Sequence, residues 1–111
     1  EIQLNDINSR FMRFLELLGP YGPGNMRPKF AARNLKVAGN PRIIGNGNHI
    51  RFRVKKERTS FPVIGFNLSK HYEDLINGSS VDLAFVVEVN EWRGKSTIQL
   101  NLRDIKQANS T

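Results

Sequence analysis

The sequence predicts an all-β fold with accessory helices: five strands closing a small barrel, one helix between the third and fourth strands, and another ahead of the first. Three observations predict it. Apolar and polar residues alternate in several stretches that are separated by breaks rich in Gly, Asn or Pro. Helical spacing of apolar residues occurs in two short stretches, one before the first strand and one after the third. At 111 residues the chain is long enough for one domain with a modest core, and too short for two.

In chain order, Asn5 to Leu18 place Ile7, Phe11, Phe14, Leu15 and Leu18 at helical spacing, with Asn5 or Asp6 available as N-cap and Gly19-Pro20 as the stop. This helix is expected to pack on something rather than to do chemistry. The following connector holds Gly19, Pro20, Gly22, Pro23, Gly24 and Pro28, so it is expected to be stiff, sharply bent and irregular, with Tyr21 pinning it to the core. Phe30 to Ile44 reads as a long first strand, bent or bulged where Gly39, Asn40 and Pro41 interrupt it. A turn at Gly45-Asn46-Gly47-Asn48 leads into the second strand.

The stretch from His49 to Phe66 organises the rest. Between Ile50 and Lys55 the alternation turns Ile50, Phe52 and Val54 to one face and Arg51, Arg53 and Lys55 to the other. The polar run Lys56 to Ser60 reads as a turn, and Phe61 to Phe66 as the third strand, with Pro62 near its start where a missing N–H is tolerated. Phe52, Phe66 and Phe85 fall in the inward register; the register of Phe61, opposite the basic strand, is left open between packing and stacking.

Asn67 to Ile76, with Leu68, Tyr72, Leu75 and Ile76 at helical spacing and Gly78 beyond, predicts a short helix ending on a glycine. Val81 to Val89 alternates as a fourth strand, and Ser96 to Arg103 as a fifth that turns Ile98, Leu100 and Leu102 inward; Asn90 to Lys95 is the turn between them. The order β-β-β-α-β-β is that of the OB-fold, a partly open barrel whose second and third strands and flanking loops bind oligonucleotides. An SH3-like barrel is the nearest competitor, and the helix after the third strand favours the OB-fold. The expected division is residues 1–28 for helix and connector, 29–106 for the barrel, and 107–111 for a polar tail.

Charge points to the kind of partner. The formal net charge is +7, and from Arg27 to Arg58 there are ten Lys or Arg against the single acid Glu57. Clustered cations release counterions from a phosphate backbone, so an anionic polymer is the natural partner. With no cysteine, disulfides, thiolate metal sites and cysteine nucleophiles are excluded. No apolar run approaches the ~20 residues that span a bilayer, and the N-terminus lacks the order of a signal peptide. The expectation is a cytoplasmic, monomeric domain with no membrane contact. The absence of an initiating Met and the polar ending QANST are what a piece of a longer protein would show.

Two phrases go beyond a fold class: LGPYGPGNMRPKF at residues 18–30 and VNEWRGKSTIQLNLRDI at residues 89–105. Both resemble the OB-fold domain of the RecJ family of single-strand-specific 5′-to-3′ DNA exonucleases. There, a Pro-aromatic-Gly-Pro-Gly-Asn connector leads in from the catalytic region and an Asn-Glu-Trp hairpin followed by a Gln-Leu strand closes the barrel. The resemblance implies a parent nuclease with a DHH-type phosphoesterase centre holding Mn²⁺ or Mg²⁺ upstream of this domain. It also implies single-stranded DNA as ligand, the parent's catalytic domains as partners, and a single-strand-binding protein as a further partner. No catalytic or metal-binding residue is expected here: there is no Asp-His-His, His49 and His71 stand singly, and Glu88, Glu91 and Asp104 form no recognisable pattern.

The candidate nucleic-acid-binding residues follow from the basic strand. Arg51, Arg53 and Lys55 are expected to contact phosphate, with Lys56 and Arg58 reaching from the adjoining loop and Arg42 from the bend of the first strand. Trp92, beside Arg93 and Lys95 in the last turn, either stacks on a base or folds back as a lid over the barrel end. The leading function is therefore a single-stranded-DNA-binding domain that grips and guides substrate for an attached exonuclease. A docking module without independent DNA binding and an RNA-binding OB domain are the alternatives.

Overall fold

The computed structural model describes residues 1–18, 28–77 and 80–108, the side chains of Glu16, Leu18, Asn77, Glu91 and Trp92 excepted. Five strands carry the fold: β1 (Phe30–Ile44), β2 (His49–Lys56), β3 (Thr59–Gly65), β4 (Val81–Trp92) and β5 (Lys95–Gln107). They close a barrel in the order β1-β2-β3-β5-β4. Every pairing is antiparallel except that of β3 with β5, which run parallel with Val63 opposite Leu100. A 3₁₀ turn (Ser69–His71) continuing into helix α2 (Tyr72–Asn77) fills the crossover between β3 and β4. This is the five-stranded OB barrel that the element order predicts.

Burial follows the alternation most faithfully in β2, where Ile50, Phe52 and Val54 are buried while Arg51, Arg53 and Lys55 are exposed. Phe85, Leu35, Ile50, Val54, Val63, Val81 and Leu100 form the completely enclosed centre. Leu75 of α2 joins the buried core, and Leu68 and Tyr72 pack against that core half-buried. In β4 the run Phe85, Val86 and Val87 is buried without alternating, next to a register shift between Ala84 and Phe85. The extra residue there is Arg103 on β5, and it switches the inward side chains of that strand from Leu100 and Leu102 to Ile105.

β1 is irregular twice. Between Ala32 and Leu35, which oppose Leu83 and Val81, Arg33 and Asn34 together face the single residue Asp82. Asn34 takes a left-handed φ of 58°, and its N–H donates to the Asp82 carboxylate at 2.9 Å. The second irregularity, between Ala38 and Arg42, is the Gly39-Asn40-Pro41 break expected from the sequence.

Several boundaries differ from expectation, each for a local reason. Helix α1 spans Ser9–Leu18, and its cap is Asn8, whose side-chain carbonyl accepts the Phe11 N–H at 2.9 Å. Asn5 and Asp6 belong instead to a preceding 3₁₀ turn (Leu4–Asp6), in which Asp6 accepts from the Gln3 N–H. Leu4, Ile7 and Leu15 are buried and Phe11 meets Phe30 edge-on at 5.2 Å, yet Phe14 is 57% exposed. The helix touches the barrel along a stripe narrower than its apolar face.

The turns are shorter than the polar runs suggest. Lys56 already pairs with Thr59, and Trp92 with Lys95, leaving two-residue turns at Glu57-Arg58 and Arg93-Gly94. Phe66 is not in the core: β3 stops at Gly65, and Phe66 lies 53% exposed in the turn that follows. Phe61, by contrast, stands opposite Val54 and packs against the core. The Gly19–Arg27 connector with Tyr21, the Gly78 helix stop, and tail residues 109–111 lie outside the described residues. Among the described residues no helix is long and apolar enough to cross a membrane.

Candidate nucleic-acid interface

The outward face of β2 is the site's backbone. Successive outward residues on a strand are about 7 Å apart, so Arg51, Arg53 and Lys55 make a ladder about 14 Å long. Register with β1 widens it: Lys36 lies opposite Lys55, Ala38 opposite Arg53, and Arg42 opposite Arg51. All five Lys and Arg in these pairs are exposed. Like charges placed directly across a strand pair are destabilising, and among the described residues none of the five forms an ion pair with an acid. The face therefore carries an uncompensated repulsion that an anionic ligand would relieve.

On the β3 side the partners are uncharged: Ile64 opposite Arg51, Pro62 opposite Arg53, and Ser60 opposite Lys55. Pro62 is accommodated on a strand whose other partner, β5, meets it only near Val63 and Ile64. Ser60 helps set the ladder, because its hydroxyl oxygen accepts from the Arg53 Nε–H at 3.3 Å. No acid stands across from the cations on this side.

The other predicted residues divide by position. Arg58 is exposed in the β2–β3 turn, continuing the ladder past Lys55. Lys56 faces the opposite way along the strand, is half-buried, and donates from Nζ to the Arg33 carbonyl at 3.3 Å, so it ties β2 to β1 rather than joining the ladder. Arg93 and Lys95 are exposed at the tip of the β4–β5 hairpin. Because β5 runs parallel to β3, that tip lies toward the same end of the barrel as Arg58. The side chain of Trp92, expected from the sequence to stack on a base or to fold over the barrel end, lies outside the described residues.

His49 is built into the opposite end of the face. Its Nδ1 accepts the Asn67 backbone N–H at 2.8 Å, and its ring stands edge-on to Phe66 with centroids 5.3 Å apart. Gly45 makes room for it: a Cβ there would come within 2.5 Å of the His49 ring, and φ is +59°. The imidazole is thus a structural bracket between two turns.

Sequence reasoning passed over Lys36 and misplaced Phe66. Lys36 was legible as the polar residue between Leu35 and Val37, but its place beside Lys55 depends on the register set by the Gly39-Asn40-Pro41 irregularity. Among the described residues no group of three or more His, Asp or Glu gathers in a way that could hold a metal ion. The His71–Asp74 contact at 3.3 Å is an isolated pair on the crossover helix. The Mn²⁺ or Mg²⁺ implied for a parent enzyme therefore finds no donor set among these residues.

Comparison with known proteins agrees with the architecture. A family model described as RecJ OB domain matches residues 1–104. The single-stranded-DNA-specific exonuclease RecJ of Bacillus subtilis (strain 168) is 24% identical over 101 residues, which are 91% of this chain and 13% of that protein. The crystal structure of RecJ in complex with Mn²⁺ from Thermus thermophilus superposes with a TM-score of 0.63 at 27% identity, over 91% of this chain and 14% of that one. The second single-stranded-DNA-binding protein of Mycobacterium smegmatis shares the fold, with a TM-score of 0.59 at 18% identity, over 71% and 84% of the two chains. The chain thus spans about one-seventh of the RecJ proteins it matches.

Proposed function

The chain belongs to the RecJ OB domain family, and from that premise we propose that it is the single-stranded-DNA-binding domain of a RecJ-like 5′-to-3′ exonuclease. It grips the substrate strand and guides it to a catalytic core elsewhere in the parent protein. The observation that carries this reading is the β1–β2 outer face, with five exposed cations and no acidic partner among the described residues. Lys36, Arg42, Arg51, Arg53 and Lys55 contact phosphates, and Arg58, Arg93 and Lys95 extend the track at one end. Phosphate contacts position a strand without reading its sequence, which suits a protein that must accept any single strand.

The test is a fluorescence-polarisation titration of the 111-residue chain with labelled oligo-dT at low and moderate salt, using duplex DNA and equal-length single-stranded RNA as competitors. Binding that weakens steeply with salt and is displaced poorly by both competitors is the expected result. Displacement by RNA at least as efficient as by unlabelled oligo-dT of the same length would make this an RNA-binding domain. No binding at low salt would remove the DNA grip from this domain.

A specific observation also favours a docking role. Phe14 is 57% and Leu17 79% exposed on α1, an apolar strip that the barrel leaves uncovered. Such a strip suits contact with the parent's catalytic domains and is compatible with DNA binding on the β1–β2 face. Loss of association with those domains in a Phe14→Asp, Leu17→Asp variant, with oligo-dT binding retained, is the expected signature.

A further inference from the structure

We propose that Phe66 is a stacking platform for one nucleobase, placed at the His49 end of the cationic face. The inference rests on the single-strand-binding reading above and adds to it a contact with the bases. Exposure alone would carry nothing, since single apolar side chains are common on protein surfaces. What distinguishes Phe66 is where it stands and how it is held.

Position comes from the strand register. Ile64 lies opposite Arg51 and Gly65 opposite Ile50, so the next step along β3 brings Phe66 beside His49. His49 and Arg51 are outward residues of the same strand, with buried Ile50 between them. The phenyl ring therefore sits one outward position beyond the last Arg of the ladder, about 7 Å along the track. A strand whose phosphates lie on Arg42 and Arg51 would carry its next base over Phe66.

Orientation comes from the bracket beneath it. The His49 ring meets Phe66 at 76° and 5.3 Å, edge to face. His49 is itself fixed, by the Asn67 N–H at 2.8 Å and by the glycine at position 45, whose missing Cβ leaves room for the ring. Asn67 holds a left-handed φ of 59°, which turns the chain sharply after Phe66. A pre-oriented ring has little rotamer freedom to lose on binding. The neighbouring turn, Gly45 to Asn48, is small and exposed, so no bulky side chain from it covers the phenyl. Every base has a π-face, so this contact strengthens binding without selecting a sequence.

The test titrates wild type, Phe66→Leu and Phe66→Trp with labelled oligo-dT and with an abasic deoxyribose-phosphate oligomer of the same length. Phe66→Leu, exposed and conservative in bulk, keeps the urea midpoint. It is expected to weaken oligo-dT binding about 5- to 150-fold, the range of one lost base stack, with the salt dependence unchanged. The same variant should bind the abasic oligomer as wild type does, and Phe66→Trp should bind oligo-dT at least as tightly as wild type. If wild type binds oligo-dT but Phe66→Leu matches it, or if the loss is equal on the abasic oligomer, stacking is wrong while the DNA-binding reading stands. If wild type binds neither oligomer, that reading falls and this inference with it.

Discussion

Asp82 shows how much one side chain can settle. It sits alone opposite two residues of β1, and its carboxylate takes the N–H that the Arg33-Asn34 bulge would otherwise leave without a strand partner. A net hydrogen bond of this kind is worth about 1 kcal/mol, and somewhat more when the acceptor is charged. Asp82→Ala is therefore expected to cost roughly 1–2 kcal/mol in urea denaturation, and Asp82→Asn less, because an amide oxygen can still accept. Equal losses in both variants would mean that the carboxylate's charge, not its acceptor geometry, holds the bulge. None of this was legible beforehand: Asp82 reads as an ordinary outward residue of an alternating strand, and only β1's register gives it a role. Phe66 is the complementary case. Its apolar character reads as inward, but the inward parity of β3 belongs to Phe61, Val63 and Gly65, opposite Val54, Phe52 and Ile50, which leaves Phe66 on the outward side beside His49.

At the scale of elements, strands were easier to read than their ends. The alternation of β2 survives intact because both its neighbours pair with it over most of its length. Helix α1 starts later than its apolar spacing suggests because Leu4 and Ile7 are buried ahead of it, so periodicity could not separate the 3₁₀ turn from the helix. The β2–β3 turn offers a prediction. Glu57 holds a φ of +57°, a conformation that disfavours a side chain with a Cβ and suits Asn, and it is the one acid between Arg27 and Arg58. Glu57→Asn is expected to stabilise the domain by up to about 1 kcal/mol and also to tighten oligo-dT binding, since it removes a negative charge next to the ladder. A stabilised variant with weakened binding would place the DNA path away from this turn.

For the whole molecule, the element order led to the right barrel, while its closure did not follow from any local pattern. The parallel meeting of β3 and β5 joins residues far apart in sequence through a short register, Val63 and Ile64 with Leu100 and Asn101. That closure brings the β4–β5 tip toward the Arg58 end. The cationic surplus was plain in composition, but its concentration on one face required the β1–β2 register. If that face grips phosphates, each cation removed should lower the slope of log affinity against log salt by about 0.7 for a single strand. The most direct measurement is that slope for wild type and for an Arg51→Ala, Arg53→Ala variant, across a salt series with oligo-dT. The cationic face predicts weaker binding in the variant and a slope shallower by about 1.4. An unchanged affinity with an unchanged slope would contradict it and put the DNA contact elsewhere on the molecule.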